Sequence, residues 1–168
     1  PAPCARRVAL CRCRRDERAD RGGGGDFGIG LTLLPVFYAH GGFGGQAPGA
    51  AQARFINRVD GFADLVARAE AKLPPDGVIG IAPHSLRAVT PDELGALLPI
   101  AGDGPVHIHI AEQVKEVDDC IAWSGRRPVR WLLDAASVDA RWTLVHATHV
   151  DRQEVADMVA RGAVAGLC

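Results

Sequence analysis

Five short apolar runs alternate with stretches of helical periodicity along most of the chain. The runs are rich in branched residues and carry few interleaved polar residues, which indicates strands that are buried on both faces. Two of the helical stretches begin with a capping-box spacing, at Thr90 with Glu93 and at Asp151 with Glu154. The order β-α-β-α-β-α-α-β-α-β predicts a parallel sheet covered by helices. The predicted strands lie within residues 28–39, 77–85, 106–111, 141–149 and 163–168.

The composition is that of a globular domain and excludes several classes of protein. The 168 residues are 48% apolar and 23% charged, with a net charge of −1, so we expect one domain with a core and no nucleic-acid partner. No apolar run reaches the roughly 18 residues that span a membrane, and the first residues lack the apolar core of a signal peptide. Five cysteines without paired spacing favour a reducing compartment, and we expect a cytoplasmic protein.

Residues 1–26 differ from the rest of the chain. They carry seven arginines against four acidic residues, together with three cysteines. A nucleic-acid-binding arm is disfavoured because no aromatic residue lies between the arginines, and the cysteine spacing matches no common zinc site. We predict a separate tail, either disordered or translated out of frame, followed by one folded domain over residues 27–168.

Polar residues at the ends of the predicted strands distinguish between two architectures. A doubly wound sheet and a (β/α)8 barrel both fit the order of elements, although the glycine fingerprint of dinucleotide-binding sheets is missing. His84 and Arg87 follow the second predicted strand, His109 and Glu112 lie at the end of the third, and His146 lies at the end of the fourth. Barrel enzymes collect their catalytic groups from the carboxyl ends of successive strands. We therefore predict a partial (β/α)8, or TIM, barrel with five of its eight strands.

The types of these residues suggest a metal-dependent hydrolase. His107 and His109 share one face of their strand because residues two apart point the same way; His109 lies nearer the end and is the candidate metal ligand, whereas His107 is expected to be structural. A hydrogen-bonded core histidine is the alternative for His109. Glu112 is placed to transfer a proton, and His146 to bind the metal or to stabilise the attacking water. The planar guanidinium of Arg87 suits a carboxylate.

Four segments of the sequence resemble the formimidoylglutamate deiminases, a family of the amidohydrolase superfamily. They read GIGLTLLPVFYAHGGFGGQ, PHSLRAVTP, VHIHIAEQVKEVDDCIAWSGRRPVRWLL and LVHATHVDRQEVADMVARGAVAGLC. The resemblance implies about strands three to seven of the barrel and one divalent metal of the zinc type. It also implies hydrolysis of N-formimidoyl-L-glutamate to N-formyl-L-glutamate and ammonia in histidine degradation, by an enzyme that forms a homodimer at full length.

The resemblance implies a role for each candidate residue. His109 matches the metal-binding histidine of the fifth strand, Glu112 the glutamate that moves the proton, and His146 the histidine that assists the water and the tetrahedral intermediate. His84 and Arg87 match the pair that contacts the substrate carboxylates. The remaining metal ligands of the family, an H-x-H pair on the first strand and an aspartate at the end of the eighth, have no match in the chain, where the only H-x-H is that of residues 107–109. We therefore expect one of four metal ligands and no activity from the chain alone.

Two alternatives to this reaction stay open at the level of sequence. In the first alternative, the chain is a non-catalytic remnant with inherited histidines. In the second, it belongs to an amidohydrolase deaminase that acts on a nucleobase or a guanidine-like substrate. Arg87 argues against a neutral nucleobase, because a forked cation is suited to a carboxylate.

Overall fold

The computed structural model describes residues 30–168 as short parallel strands and helices in alternation. The tail predicted at residues 1–26 lies outside the described residues, so its boundary with the domain stays a prediction. The strands are Thr32–Leu33 (β1), Val36–Phe37 (β2), Val78–Ile79 (β3), Ala82–Pro83 (β4), Val106–Ile110 (β5), Trp142–His146 (β6) and Val164–Gly166 (β7). The α-helices are Val59–Glu70 (α1), Pro91–Ala101 (α2), Val114–Ser124 (α3), Pro128–Ala135 (α4) and Arg152–Ala160 (α5), and a 3-10 turn covers Ala53–Phe55.

The seven strands within residues 30–168 occupy five consecutive positions of a curved parallel wall. β1 and β2 share the first position, and β3 and β4 share the second. β1 pairs with β3 and β2 with β4, while β5, β6 and β7 form a three-stranded sheet in that order. Parallel bridges from Ile81 to Val106 and from Ser85 to His109 connect the two parts. Neighbours in sequence are therefore neighbours in space, which is the strand order of a (β/α)8 barrel.

The first two predicted strands are each broken into two pieces, so their prediction as continuous strands is wrong in this detail. Pro35 separates β1 from β2 and has no N–H to donate to a neighbouring strand. Gly80 separates β3 from β4, and a Cβ there would lie 2.2 Å from the Pro105 carbonyl oxygen. Pairing continues across both breaks, because the Gly80 N–H donates to the Leu33 carbonyl (2.9 Å) and the Ala82 N–H to that of Pro35 (2.8 Å).

Both predicted capping boxes are confirmed. The Thr90 hydroxyl accepts a hydrogen bond from the Glu93 N–H at 3.3 Å, and the Glu93 carboxylate accepts one from the Thr90 N–H at 2.8 Å. Asp151 and Glu154 make the same reciprocal pair at the start of α5, at 2.8 and 2.9 Å. The helices therefore begin where the local sequence satisfies their first N–H groups.

The two faces of β5 differ, as the alternation of its sequence predicts. Val106, Ile108 and Ile110 are at most 1% exposed and pack in the core with the helices. His107 and His109 lie on the other face and are half-buried. The apolar face attaches the strand to its helical layer, and the histidine face is left to line the concave side of the wall. None of the helices within residues 30–168 is long and apolar enough to cross a membrane.

Candidate active site

Three histidine rings lie side by side across the ends of neighbouring strands. His84 follows β4, His109 lies in β5 and His146 ends β6. The ring centroids of His84 and His109 are 5.0 Å apart, and those of His109 and His146 are 5.4 Å apart. The structure thus brings together three residues that are well separated in sequence, because parallel strands in register end at the same rim of the wall.

Tyr38 extends this row, although the sequence analysis did not single it out. It follows β2, and its ring packs edge-on against His84 with centroids 4.7 Å apart. The Tyr38 hydroxyl accepts a hydrogen bond from Gln52 Nε2 at 2.7 Å, and its backbone N–H donates to Asn57 Oδ1 at 3.1 Å. Its position directly after an apolar run, like that of the other rim residues, was the available signal.

A backbone hydrogen bond fixes the tautomer of His109. Its Nδ1 lies 2.9 Å from the His84 carbonyl oxygen, which can only accept, so Nδ1 carries the proton. The lone pair is then on Nε2, which is free to bind a metal or to accept a hydrogen bond. Orientation of a ligand imidazole by a carbonyl on its other nitrogen is typical of metal sites.

Burial keeps the neighbouring histidines neutral. The pKa of His84 falls to about 4 because its ring is desolvated, with smaller contributions from His109 and then Arg87. The pKa of His107 is also lowered, first by burial and then by His109. At neutral pH, His84 therefore acts as a neutral hydrogen-bonding group, and its Nδ1 lies 3.2 Å from the Ser85 hydroxyl.

Glu112 faces His146 from the loop after β5. Its Oε1 lies 3.8 Å from His146 Nε2, and the side chains are 39% and 21% exposed. This distance is too long for a hydrogen bond. A carboxylate and an imidazole that close to each other, both reachable from solvent, are able to exchange a proton with a molecule bound between them and the His109 ring.

Backbone strain is concentrated at the same rim. Within residues 30–168, the non-glycine residues with positive φ are Ala111 (51°), His146 (71°) and Ala147 (45°). Two hydrogen bonds connect these turns, from the Ala147 N–H to the Ile110 carbonyl (3.0 Å) and from the His149 N–H to the Ala111 carbonyl (2.9 Å). His149 thus contributes through its backbone in the turn. Left-handed backbone at non-glycine residues persists where the surroundings enforce it, and it is often found at active sites.

Arg87 lies beside the histidine row and lines a separate cleft. This cleft has a volume of about 660 Å³ and runs between the hairpin at Gly41, Gly42 and Phe43 and the start of α3 at Gln113. The buried Nε of Arg87 has no hydrogen-bond partner among the described residues. An unpaired buried donor is costly, and the charged side chains that share the cleft with Arg87 are those of Lys115, Glu116 and Asp119.

The donor set in this part of the chain is incomplete for a metal. No group of three or more His, Cys, Asp or Glu side chains within residues 30–168 is placed to hold a metal ion. His109 by itself fits the role of one neutral nitrogen ligand, since its Nδ1 proton is engaged and its Nε2 is available. A metal bound here requires further ligands from outside these residues.

Comparisons with known proteins identify the fold. The chain is 58% identical over 143 residues to the formimidoylglutamate deiminase of Pseudomonas aeruginosa, a match that covers 84% of the chain and 32% of that protein. A 5-methylthioadenosine/S-adenosylhomocysteine deaminase of Desulfovibrio desulfuricans is 35% identical over 89 residues, or 52% of the chain and 20% of that protein. An amidohydrolase structure from Brucella melitensis has a TM-score of 0.84 and 57% identity, over 88% of the chain and 34% of that protein. No protein-family model matches the chain.

These similarities confirm the predicted partial barrel and the predicted resemblance to enzymes that deaminate by hydrolysis. The chain spans about a third of the length of the curated deiminase and of the solved amidohydrolase. The roles of individual site residues stay predictions.

Proposed function

Since the chain is part of an amidohydrolase (β/α)8 barrel and resembles the formimidoylglutamate deiminases, we propose that it contributes to the hydrolysis of N-formimidoyl-L-glutamate. The products are N-formyl-L-glutamate and ammonia, in the degradation of histidine. The observation that supports this reaction is the row of imidazoles with a carboxylate facing it, in which Glu112 Oε1 lies 3.8 Å from His146 Nε2.

His109 is proposed as a ligand of one divalent metal, through Nε2. The carbonyl of His84 holds the opposite nitrogen as the donor, and the remaining ligands come from outside residues 30–168. A neutral imidazole suits a metal of the zinc type, which supplies a Lewis acid that lowers the pKa of water.

Glu112 transfers the proton, and His146 stabilises the charge that develops. The Glu112 carboxylate takes a proton from the water whose oxygen adds to the formimidoyl carbon, and delivers it to the terminal nitrogen, which gives a tetrahedral intermediate with one hydroxyl and one amino group. The remaining hydroxyl proton then moves to that amino group as the carbon–nitrogen bond breaks, so that ammonia leaves and the formyl oxygen comes from water. His146 donates a hydrogen bond to the added oxygen, which becomes negative as its hydroxyl proton is removed and the intermediate collapses.

Arg87 and His84 are proposed to bind the two carboxylates of the glutamate part of the substrate. Arg87 presents a buried Nε without a partner among the described residues, and charge-assisted pairing with a carboxylate satisfies it. His84 is neutral and offers a hydrogen bond instead of a second charge.

A second candidate function is deamination of a nucleoside-like substrate. The 35% identity to a 5-methylthioadenosine/S-adenosylhomocysteine deaminase over 89 residues favours it. The two reactions differ in the need for Arg87 when 5-methylthioadenosine is the substrate, because this molecule, in contrast to S-adenosylhomocysteine, has no carboxylate to pair with a guanidinium.

The test uses a chimera, in which the matched 143 residues of this chain replace the corresponding segment of the Pseudomonas aeruginosa deiminase. We expect the chimera to release ammonia from N-formimidoyl-L-glutamate and not from 5-methylthioadenosine. Arg87→Met should raise KM about 10- to 100-fold with a smaller effect on kcat, which corresponds to the loss of one charge-assisted contact. Activity on 5-methylthioadenosine that is unaffected by Arg87→Met would support the second candidate.

The isolated 168-residue chain is expected to release no ammonia above background, because it lacks a complete set of metal ligands within the described residues. Release of ammonia by this chain, at a rate that depends on added zinc, would show that its own residues are sufficient to bind the metal.

The proposal also includes the domain boundary, the location and the oligomeric state of the protein. Residues 27–168 form the barrel part and residues 1–26 a separate tail, the location is the cytoplasm, and the full-length enzyme is a homodimer. The free thiol of Cys120 suits a reducing compartment. Mass photometry of the full-length protein tests the dimer, and limited proteolysis tests the boundary near residue 27.

A further inference from the structure

Glu116 is a buried carboxylate whose contacts are with the loop that carries Glu112. It lies in the first turn of α3 and is 3% exposed. Its Oε1 accepts a hydrogen bond from the Ala111 N–H at 3.1 Å, and its Oε2 accepts one from the Glu112 N–H at 3.0 Å. Both oxygens of this side chain are therefore used to hold two consecutive peptide groups.

The loop needs such support because Ala111 has left-handed backbone, with φ at 51°. Alanine disfavours this region since its Cβ crowds the backbone. The Ala111 carbonyl is held on the other side by the His149 N–H at 2.9 Å. A charged acceptor makes stronger hydrogen bonds than a neutral one, so Glu116 is well suited to maintain a turn that alanine resists.

Few contacts of its own fix the position of the Glu112 side chain. Within residues 30–168, its carboxylate makes no hydrogen bond, and its Oε1 lies 3.8 Å from His146 Nε2. The direction in which Glu112 projects therefore depends on its backbone. That backbone is fixed at its N–H by Glu116.

We propose that Glu116 is the positioning residue for Glu112: its buried carboxylate holds the left-handed turn at Ala111 and thereby aims the Glu112 side chain at His146. This inference rests on the proposed function, in which Glu112 moves the proton. It adds a residue that acts through the backbone of Glu112, and whose side chain also lines the cleft of Arg87.

The test is an NMR comparison of the 168-residue chain with two variants. Glu116→Gln is isosteric, but its amide nitrogen cannot accept a hydrogen bond, so one of the two N–H groups loses its partner. Val117→Ala is the matched control. Val117 is the next residue and is 5% exposed, but its side chain has no acceptor for the two N–H groups. Two signals are measured, namely hydrogen exchange of the Ala111 and Glu112 amides and the nuclear Overhauser effect between the Glu112 side chain and the His146 ring.

Glu116→Gln should accelerate exchange at least tenfold at the amide that loses its acceptor and weaken the Overhauser effect at least threefold. Val117→Ala should change neither signal. An unchanged Overhauser effect in Glu116→Gln, together with faster exchange, would overturn the proposal, because Glu116 would then support only the fold. Absence of the effect in the unmodified chain would overturn it as well.

A second variant keeps the inference testable if Glu116→Gln does not fold. Glycine adopts left-handed backbone without strain but adopts other conformations as readily, so Ala111→Gly combined with Glu116→Gln should fold, leave the turn unheld and still show the weakened Overhauser effect. A folded double variant that retains the full effect would overturn the proposal. These measurements involve no substrate, so a failure of the chimera to release ammonia would refute the proposed function separately.

Discussion

Replacing Glu154 with alanine should remove the main polar connection between α4, α5 and the loop after β6. The side chain is 2% exposed, and its Oε2 accepts hydrogen bonds from Arg127 Nε and from the Asp151 N–H, both at 2.9 Å. Its Oε1 accepts from the Arg130 N–H at 3.2 Å. Arg127 in turn donates from Nη2 to the His149 carbonyl at 2.6 Å. One carboxylate thus anchors the guanidinium that holds the loop.

The size of the effect follows from these contacts. A hydrogen bond to a charged group contributes about 1.5–3 kcal/mol, and each backbone N–H left without a partner costs about 1 kcal/mol. The loss is reduced because the Arg127 side chain is 34% exposed and keeps Asp151 Oδ2 at 3.4 Å. We therefore expect Glu154→Ala to lower the free energy of unfolding by about 3 kcal/mol. This value is at the low end of the range for removing one partner of a buried ion pair.

Urea denaturation followed by far-ultraviolet circular dichroism measures this change. The control is Asp119→Ala, which removes the exposed pair with Lys115 (2.7 Å, side chains 45% and 80% exposed) and should cost only about 0.5 kcal/mol. A loss below about 1 kcal/mol for Glu154→Ala would refute the reasoning, because the buried carboxylate would then contribute no more than an exposed one.

Two further predictions concern thiol reactivity and chain packing. Burial raises the pKa of Cys120 to about 11, so iodoacetamide at pH 8 should label the exposed Cys168 and leave Cys120 unmodified until urea unfolds the chain; peptide mass mapping would contradict this if both label at equal rates. Gly104→Ala should cost about 3 kcal/mol in urea denaturation, since its Cβ would lie 2.1 Å from the Ile79 carbonyl oxygen. Gly95→Ala is the control, with nothing within 4 Å of its Cβ, and should stabilise helix α2 by up to about 1 kcal/mol; equal losses in the two variants would contradict the packing argument.

The parts of the site that lie on strands could be predicted from the sequence. His109 lies near the end of one apolar run and His146 ends another, and parallel pairing then brings their ring centroids to 5.4 Å from each other. Period-two alternation also predicts that His109 and His107 share a face. These inferences need only local sequence and the knowledge that parallel strands end together.

The supporting residues could not be predicted in the same way. An acidic residue in the first turn of a helix, such as Glu116, is favoured by the helix dipole in any solvated helix, so its sequence position does not indicate burial. Its contacts arise because Ala111 turns left-handed, and alanine carries no local signal for that conformation. The breaks at Pro35 and Gly80 also depend on neighbouring strands, whose approach is decided by tertiary packing.

The most direct test of the central claim is the rate of ammonia release by the chimera with Glu112→Gln, relative to the unchanged chimera. If Glu112 moves the proton during hydrolysis of N-formimidoyl-L-glutamate, kcat should fall by about 100- to 10,000-fold, with KM changed much less. A variant that folds and keeps kcat within a few-fold of the unchanged chimera would contradict the account.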